Sequence, residues 1–413
     1  MSTSPSSPEA VCIYFQAHQP NRLKPYTFFD VGRDPFYEND ELNGQIVSKV
    51  SDKCYIPANR LFTEVLGEHE GRAKISFSIS GVLLEQLEHH RPDAMQSFVQ
   101  LLDTGNVELL AETYYHSLCF RHSGTEFVRQ VRKQEEKLDA IFGVKPRVFR
   151  HTELIYFNEL AEFVESMGYK GMLAEGVPWL LADRTPNGLY QSPGVKELKV
   201  LTRNFRLSDD IAFRFADKNW TEYPLSAKKF ADWIECQEGD LVNLFIDYET
   251  IGEHQWEDTG IFDFWRDLPG ELLERGIDLL TPSEAIDRFE SLGAYDVHKP
   301  TSWADSEKDL SAWKGNPMQN EANRKILELE KKVLAKGNAE LLHQWSKMQT
   351  SDHFYYMCTK GAEDGAVHSY FNPYPSPYEG YIYFMNALSD LQLRVEEMPD
   401  APETPEVSPS QTE

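Results

Sequence analysis

Seven short runs of apolar and β-branched residues recur along the chain: VCIYFQ (11–16), AKISFSIS (73–80), VELLAE (107–112), RVFRH (147–151), KGMLAE (170–175), KVLTRN (199–204) and LVNLFIDYE (241–249). Several stay apolar for four or more residues, the pattern of strands buried on both faces. Between them, apolar residues at three- and four-residue spacing read as helices, as over 127–141 and 158–167. Strand, helix, strand is the rhythm of a parallel α/β sheet. Seven strands in this span suit a closed or nearly closed (β/α) barrel, with an open doubly wound sheet as the alternative. The barrel gains support from polar residues where the runs end: His18 and Gln19, Glu112 and His116, Glu153, then Asp247 and Glu249. In barrels that rim is where chemistry collects.

At 413 residues the chain allows one large catalytic domain with an appendage. The pattern changes beyond Thr281 and Pro282, where a Trp-bearing stretch (300–319) precedes helical segments over 321–335, 339–353 and 378–395. In the first, Ile326, Leu329 and Val333 form one stripe, and Gly337 with Asn338 is a stop. The expected organisation is a disordered N-terminus (1–10), a catalytic barrel (11–290), a helical region completing the substrate cleft (291–395) and a disordered acidic tail (396–413). A net charge of −26 argues against nucleic acid as a partner. No apolar run is long enough for a bilayer, which argues against a membrane partner too. Five cysteines without a Cys-x-x-Cys pair, behind the small polar start MSTSPSSPEA, point to the cytoplasm.

The phosphate-binding glycine motifs and the Gly-x-Ser-x-Gly elbow are absent. Carboxylate chemistry remains. Glu153 and Asp247 each follow apolar strand residues, where burial beside another carboxylate separates two pKa values and lets one acid attack while the other protonates. A retaining glycosidase needs such a pair. An isolated acid at a strand end also serves as a helix cap or an ion-pair partner, so position alone leaves both readings open. His18, His116, His151 and His254 lie in the rim segments without His-x-His or His-Glu-x-x-His spacing, which favours hydrogen bonding to sugar hydroxyls over metal binding. Aromatic residues cluster in loops, Trp303 and Trp313 among them, and suit the apolar faces of sugar rings.

Five ordered segments, FQAHQP (15–20), GNVELLAETYYH (105–116), FRHTELIYF (149–157), FIDYETIGEHQW (245–256) and QTSDHFYYM (349–357), resemble the glycoside hydrolases of family 57, in their α-amylase-type branch. SWADSEKDLSAW before the helical region adds to the likeness, which covers about residues 10–390. The resemblance implies a (β/α)7 barrel with a helical C-terminal region, and retaining cleavage or transfer of α-glucan chains without a metal or organic cofactor. It implies Glu153 as nucleophile and Asp247 as general acid/base. It places His18, His116 and Asp352 along the sugar, and Gln19, Glu112, His254, Trp303 and Trp313 complete the expected substrate-binding set. Many relatives carry Trp where this chain has Arg150. A 4-α-glucanotransferase, a non-catalytic glucan-binding protein and a metal-dependent carbohydrate deacetylase stand as alternatives, and oligomeric state is left open.

Overall fold

The computed structural model describes residues 7–361 and 367–401. They fall into two compact units, Met1–Asn21 with Asp40–Ala312, and Arg22–Asn39 with Trp313–Glu413. The expected disorder of 1–10 and 396–413 falls largely outside the described residues. Within them, the Glu9 N–H already bonds the Asp240 carbonyl at 2.9 Å, and the Ala401 N–H bonds the Ala335 carbonyl at 2.9 Å.

The first unit holds ten strands: β1 (Ala10–Ala17), β2 (Ile75–Ile79), β3 (Val107–Leu109), β4 (Val148–Phe149), β5 (Gly171–Glu175), β6 (Leu189–Gln191), β7 (Lys199–Arg203), β8 (Leu241–Asp247), β9 (Asp278–Leu279) and β10 (Ser291–Ala294). All seven runs read from the sequence are among them; β6, β9 and β10 are short additions. One five-stranded sheet has the order β3-β2-β1-β8 with β9 also on β1, all parallel. The other has the order β10-β6-β7-β5-β4, in which only β6 and β7 run antiparallel. Hydrogen bonds join the two sheets at two seams. At one, the Ala111 N–H bonds the Val148 carbonyl at 3.0 Å and the Arg150 N–H bonds the Ala111 carbonyl at 2.8 Å. At the other, the Asn204 N–H bonds the Asn243 carbonyl at 2.9 Å, and Asn243 Nδ2 donates to the Thr202 carbonyl at 3.0 Å. β10 pairs with β6, and this unit runs on to Ala312.

Alternation along each strand divides the core in two. Val11, Ile13 and Phe15 of β1 join Phe62, Phe77, Phe98, Ile246 and Trp265 in a layer shared with the helices. Ala10, Cys12 and Tyr14 instead meet Leu110, Val148, Leu173, Leu201 and Phe245, drawn from strands of both sheets. This second cluster is the inner core on which the site stands.

In the second unit, the helix expected over 321–335 is two, Pro317–Glu328 and Glu330–Ala335, and that over 339–353 is Ala339–Lys347 followed by Ser351–Tyr355, while the one expected over 378–395 runs unbroken as Pro377–Glu397. Asn316 and Asn338 cap the first and third, and Gly337 adopts a left-handed conformation (φ +59°) at the expected stop. The segment Arg22–Asn39 is tied to the last helix by Asp390, a buried carboxylate accepting from the Gly32 N–H at 2.6 Å, the Tyr37 hydroxyl at 2.8 Å and the Arg394 guanidinium. No helix among the described residues is long and apolar enough to cross a membrane.

Replacing Asp390 by Ala leaves those buried donors unanswered and is expected to cost about 3 kcal/mol. Chemical denaturation measures the loss, and limited proteolysis should show residues 22–39 as the segment newly cut.

Candidate functional site

Toward the C-terminal ends of the strands the inner faces turn from apolar to polar residues, with Ser76, Glu108 and Asn243 the polar residues below that level. On β1, Ala10, Cys12 and Tyr14 give way to Gln16; on β8, Leu241 and Phe245 give way to Asp247. In the same way Leu110 is followed by Glu112, Val148 by Arg150, Leu173 by Glu175 and Leu201 by Arg203. Ser78 and Ser80 close the β2 side. The parallel register sets Gln16 beside Asp247 and Glu175 beside Arg203.

A chain of hydrogen bonds runs across this layer. Ser78 Oγ donates to Gln16 Oε1 at 2.7 Å, and Gln16 Nε2 donates to Glu112 Oε1 at 3.4 Å. Glu112 Oε2 lies 3.0 Å from His116 Nδ1, and His116 Nε2 lies 3.4 Å from Glu153 Oε1. The indole N–H of Trp303 donates to the other Glu153 oxygen, Oε2, at 3.0 Å. His18 stacks on His116 with ring centroids 3.9 Å apart and bonds Ser80 Oγ at 2.7 Å. Glu112 is fully buried and His116 almost so, whereas the Glu153 side chain keeps 21% of its surface. A ligand can therefore reach Glu153 while its supports stay dry.

Backbone strain collects at the same place. Glu153 (φ +57°), Leu154 (φ +52°) and His116 (φ +52°) all occupy the left-handed region that side chains avoid. Trp303 and its neighbour hold the Glu153 turn in that shape, because Ser302 Oγ and the Trp303 N–H both donate to the Glu153 carbonyl, at 2.9 and 3.4 Å.

The protonation pattern follows from burial and neighbours. Burial alone would discharge His116; hydrogen bonds to Glu112 and Glu153, with their charges, instead raise it to about 9, so an imidazolium faces Glu153. Asp247 reaches water on its open side but is otherwise ringed by protein. That crowding, then the charge of Glu153, raises it to about 6, against the opposing pull of Arg150, Arg203 and His116. Burial and the charge of Asp247 push Glu249 to about 8, although the Tyr55 hydroxyl and the His18 N–H both donate to its Oε1. Glu249 is thus a neutral carboxylic acid at pH 7.

Of the residues expected from sequence, His18, Glu112, His116, Glu153 and Trp303 fall in this hydrogen-bonded group, and Asp247 faces it. The Gln19 side chain bonds Tyr55, and the His254 N–H bonds the Glu249 carbonyl at 2.9 Å. Trp313 and Asp352 belong to the second unit, where Trp313 is buried against Tyr355 and Asp352 lies in the first turn of Ser351–Tyr355. Sequence reading missed Gln16, Tyr55, Glu175 and Arg203. Glu175 and Arg203 carried the same signal as Asp247, a charge ending an apolar run. Tyr55 carried none, since it lies in a π-helical turn (Ser51–Tyr55).

The sequence profile of glycosyl hydrolase family 57 matches residues 12–298. A relative from Methanocaldococcus jannaschii named "Putative alpha-amylase" is 39% identical over 405 residues, covering 94% of this chain and 85% of its own. An alpha-amylase of Pyrococcus abyssi is 25% identical over 64% of this chain and 39% of its own length. Among solved structures, the branching enzyme of family 57 from Pyrococcus horikoshii superposes with a TM-score of 0.64 at 17% identity, covering 88% of this chain and 87% of that one. The 4-alpha-glucanotransferase of Thermococcus litoralis gives 0.63 at 16% identity, over 84% and 56%. At these identities the structural likeness is one of fold.

The neutral Glu249 makes a stability prediction. A carboxyl whose folded pKa lies above its unfolded one favours folding fully below about pH 4.5 and loses that contribution as pH rises through about 8. Glu249→Gln keeps the accepting oxygen and removes the proton. Its thermal midpoint relative to wild type should therefore climb between pH 4.5 and 8, and calorimetry across that range reads the difference.

Proposed function

We propose that this chain, which belongs to glycosyl hydrolase family 57, is a retaining glycosidase of α-1,4-glucans of the α-amylase type. Glu153 is the nucleophile and Asp247 the general acid/base. The observation that carries the reading is the contrast between the two carboxyl groups. Glu153 accepts from an imidazolium on one oxygen and an indole N–H on the other, contacts that favour its ionised form. Asp247 is pushed the other way, toward protonation, by the protein crowded around it and by the charge of Glu153. Attack and leaving-group protonation need that pairing of states.

In the first step a Glu153 oxygen bonds the anomeric carbon as the glycosidic C–O bond breaks, and the proton of Asp247 passes to the departing oxygen. In the second, Asp247 takes a proton from water, whose oxygen displaces Glu153. A second glucan in place of water gives transfer. Hydrolysis is the reading preferred because the relative matched over most of its length carries an amylase name. His18, Gln19, Glu112, His116, His254, Trp303, Trp313 and Asp352 are proposed to bind or orient the sugar.

The fold reading belongs to the same proposal. The seven parallel strands β8, β1, β2, β3, β4, β5 and β7, hydrogen-bonded within the sheets and across both seams, are taken as a (β/α)7 barrel. The free thiols of Cys12, Cys54, Cys119, Cys236 and Cys358 accord with the cytoplasm.

Glu153→Gln should lower turnover of a maltooligosaccharide at least about 10³-fold while glucan binding persists. Product analysis by NMR at early times should show the retained anomer, and an inverted one excludes the covalent route. With Asp247 as the acid, kcat/KM falls as pH rises past about 6, and Asp247→Asn should abolish that limb.

A further inference from the structure

Arg150 ends the β4 run fully buried, and its Nε, Nη1 and Nη2 atoms have no hydrogen-bond partner among the described residues. A guanidinium stays charged at any working pH, and burying it without partners is costly unless something else answers it. Two groups do. Its Cζ lies 5.0 Å from the centre of the Trp303 ring, within cation–π reach, and its charge acts on Asp247. Trp303 in turn meets Glu153 twice, through the indole N–H to Oε2 and the backbone N–H to the carbonyl. The same ring lies 5.7 Å from the guanidinium of Arg203. Arg203 is fixed by the Phe245 carbonyl, Glu175 and Asp209, and the Trp303 carbonyl accepts from Lys308 Nζ at 3.0 Å. The indole is therefore held from several sides, and its N–H has one destination.

We propose that Arg150 and Trp303 are positioning residues for the reaction: the buried guanidinium seats the indole that aims the Glu153 carboxylate, and the same fixed charge faces Asp247. This rests on the roles given above to Glu153 and Asp247. It makes Trp303 a support for the nucleophile and not solely a platform for sugar. A merely structural arginine would satisfy its own hydrogen bonds; this one sets its charge against the Trp303 ring and Asp247 instead.

Arg150→Met and Trp303→Phe in the full-length chain test the idea, with Arg150→Lys as the conservative partner. For Arg150→Met, kcat on a maltooligosaccharide should fall about tenfold to a hundredfold with KM changed less than about twofold, since the lost contact serves the transition state. The thermal midpoint should hold or rise, because an apolar side chain replaces an unpartnered buried charge. The basic limb of kcat/KM should move up by about half to one pH unit, as Asp247 loses a cation while Glu153, His116, Arg203 and Glu249 still face it. Arg150→Lys keeps the charge without the planar stack, so it should leave the limb in place and recover only part of kcat. Trp303→Phe should lower kcat and leave the limb unmoved.

Wild-type kcat and limb in Arg150→Met overturn the proposal. So does a loss of kcat that comes with a lowered midpoint and an unmoved limb. Turnover persisting in Glu153→Gln sinks the nucleophile assignment instead, a separate result. A readout without substrate is the indole N–H resonance of Trp303, assigned by its loss in Trp303→Phe. It should move in Glu153→Gln, which changes its acceptor, and in Arg150→Met, which removes the cation from the ring face; an unmoved resonance in Arg150→Met counts against the proposal.

Discussion

The two-residue repeat of a β-strand governs this molecule. Because successive side chains point to opposite faces, a strand that begins with Ala10 on its inner face carries Cys12, Tyr14 and Gln16 on that face as well. Parallel neighbours in register then bring like levels together, so Gln16 meets Asp247 and Glu175 meets Arg203. The change from apolar to polar at one level of each strand is what converts a core into a site. Slipping any of these strands by a single residue would send its polar group into the helical layer occupied by Phe62, Phe77 and Trp265.

Assembling that level forces charges into poor solvation, and the structure answers by alternating sign. Glu112, His116 and Glu153 form a carboxylate, imidazolium, carboxylate series; Glu175, Arg203 and Asp209 form a second, with the cation again in the middle. Glu249 escapes the rule by remaining protonated beside Asp247. Such networks reward a single arrangement, since losing one member strands a buried partner. The left-handed backbone at His116 and Glu153 is tolerated for the same reason: the surrounding bonds fix the side chains so firmly that the strain is outweighed.

Much of this was visible in the amino-acid order. The seven apolar runs stood out because strands buried on both faces need unbroken apolar residues, and the acids closing them marked the level of the site. What escaped has physical causes. β6 and β9 are too short to build a pattern, and β10, reading SLGA, lacks the β-branched residues that mark a strand. The departure of Arg22–Asn39 into the second unit is signalled by no composition change, because its anchors are single contacts such as Asp390 on distant chain. Arg150 was noticed as a departure from relatives, but its lack of partners is a fact of three dimensions. The seams are likewise beyond sequence, since they depend on isolated bonds at Ala111 and Asn204 and not on a ladder.

The excursion of Arg22–Asn39 has a consequence for biosynthesis. In synthesis this segment precedes the helix that receives it, Pro377–Glu397, and Gly32 and Asp390 stand 358 residues apart. Until that helix is made, the Gly32 N–H and the Tyr37 hydroxyl have no Asp390 to bind. Closing a loop of that length is an entropic cost that can be met only once both ends are present, so the docking of this segment comes late in folding.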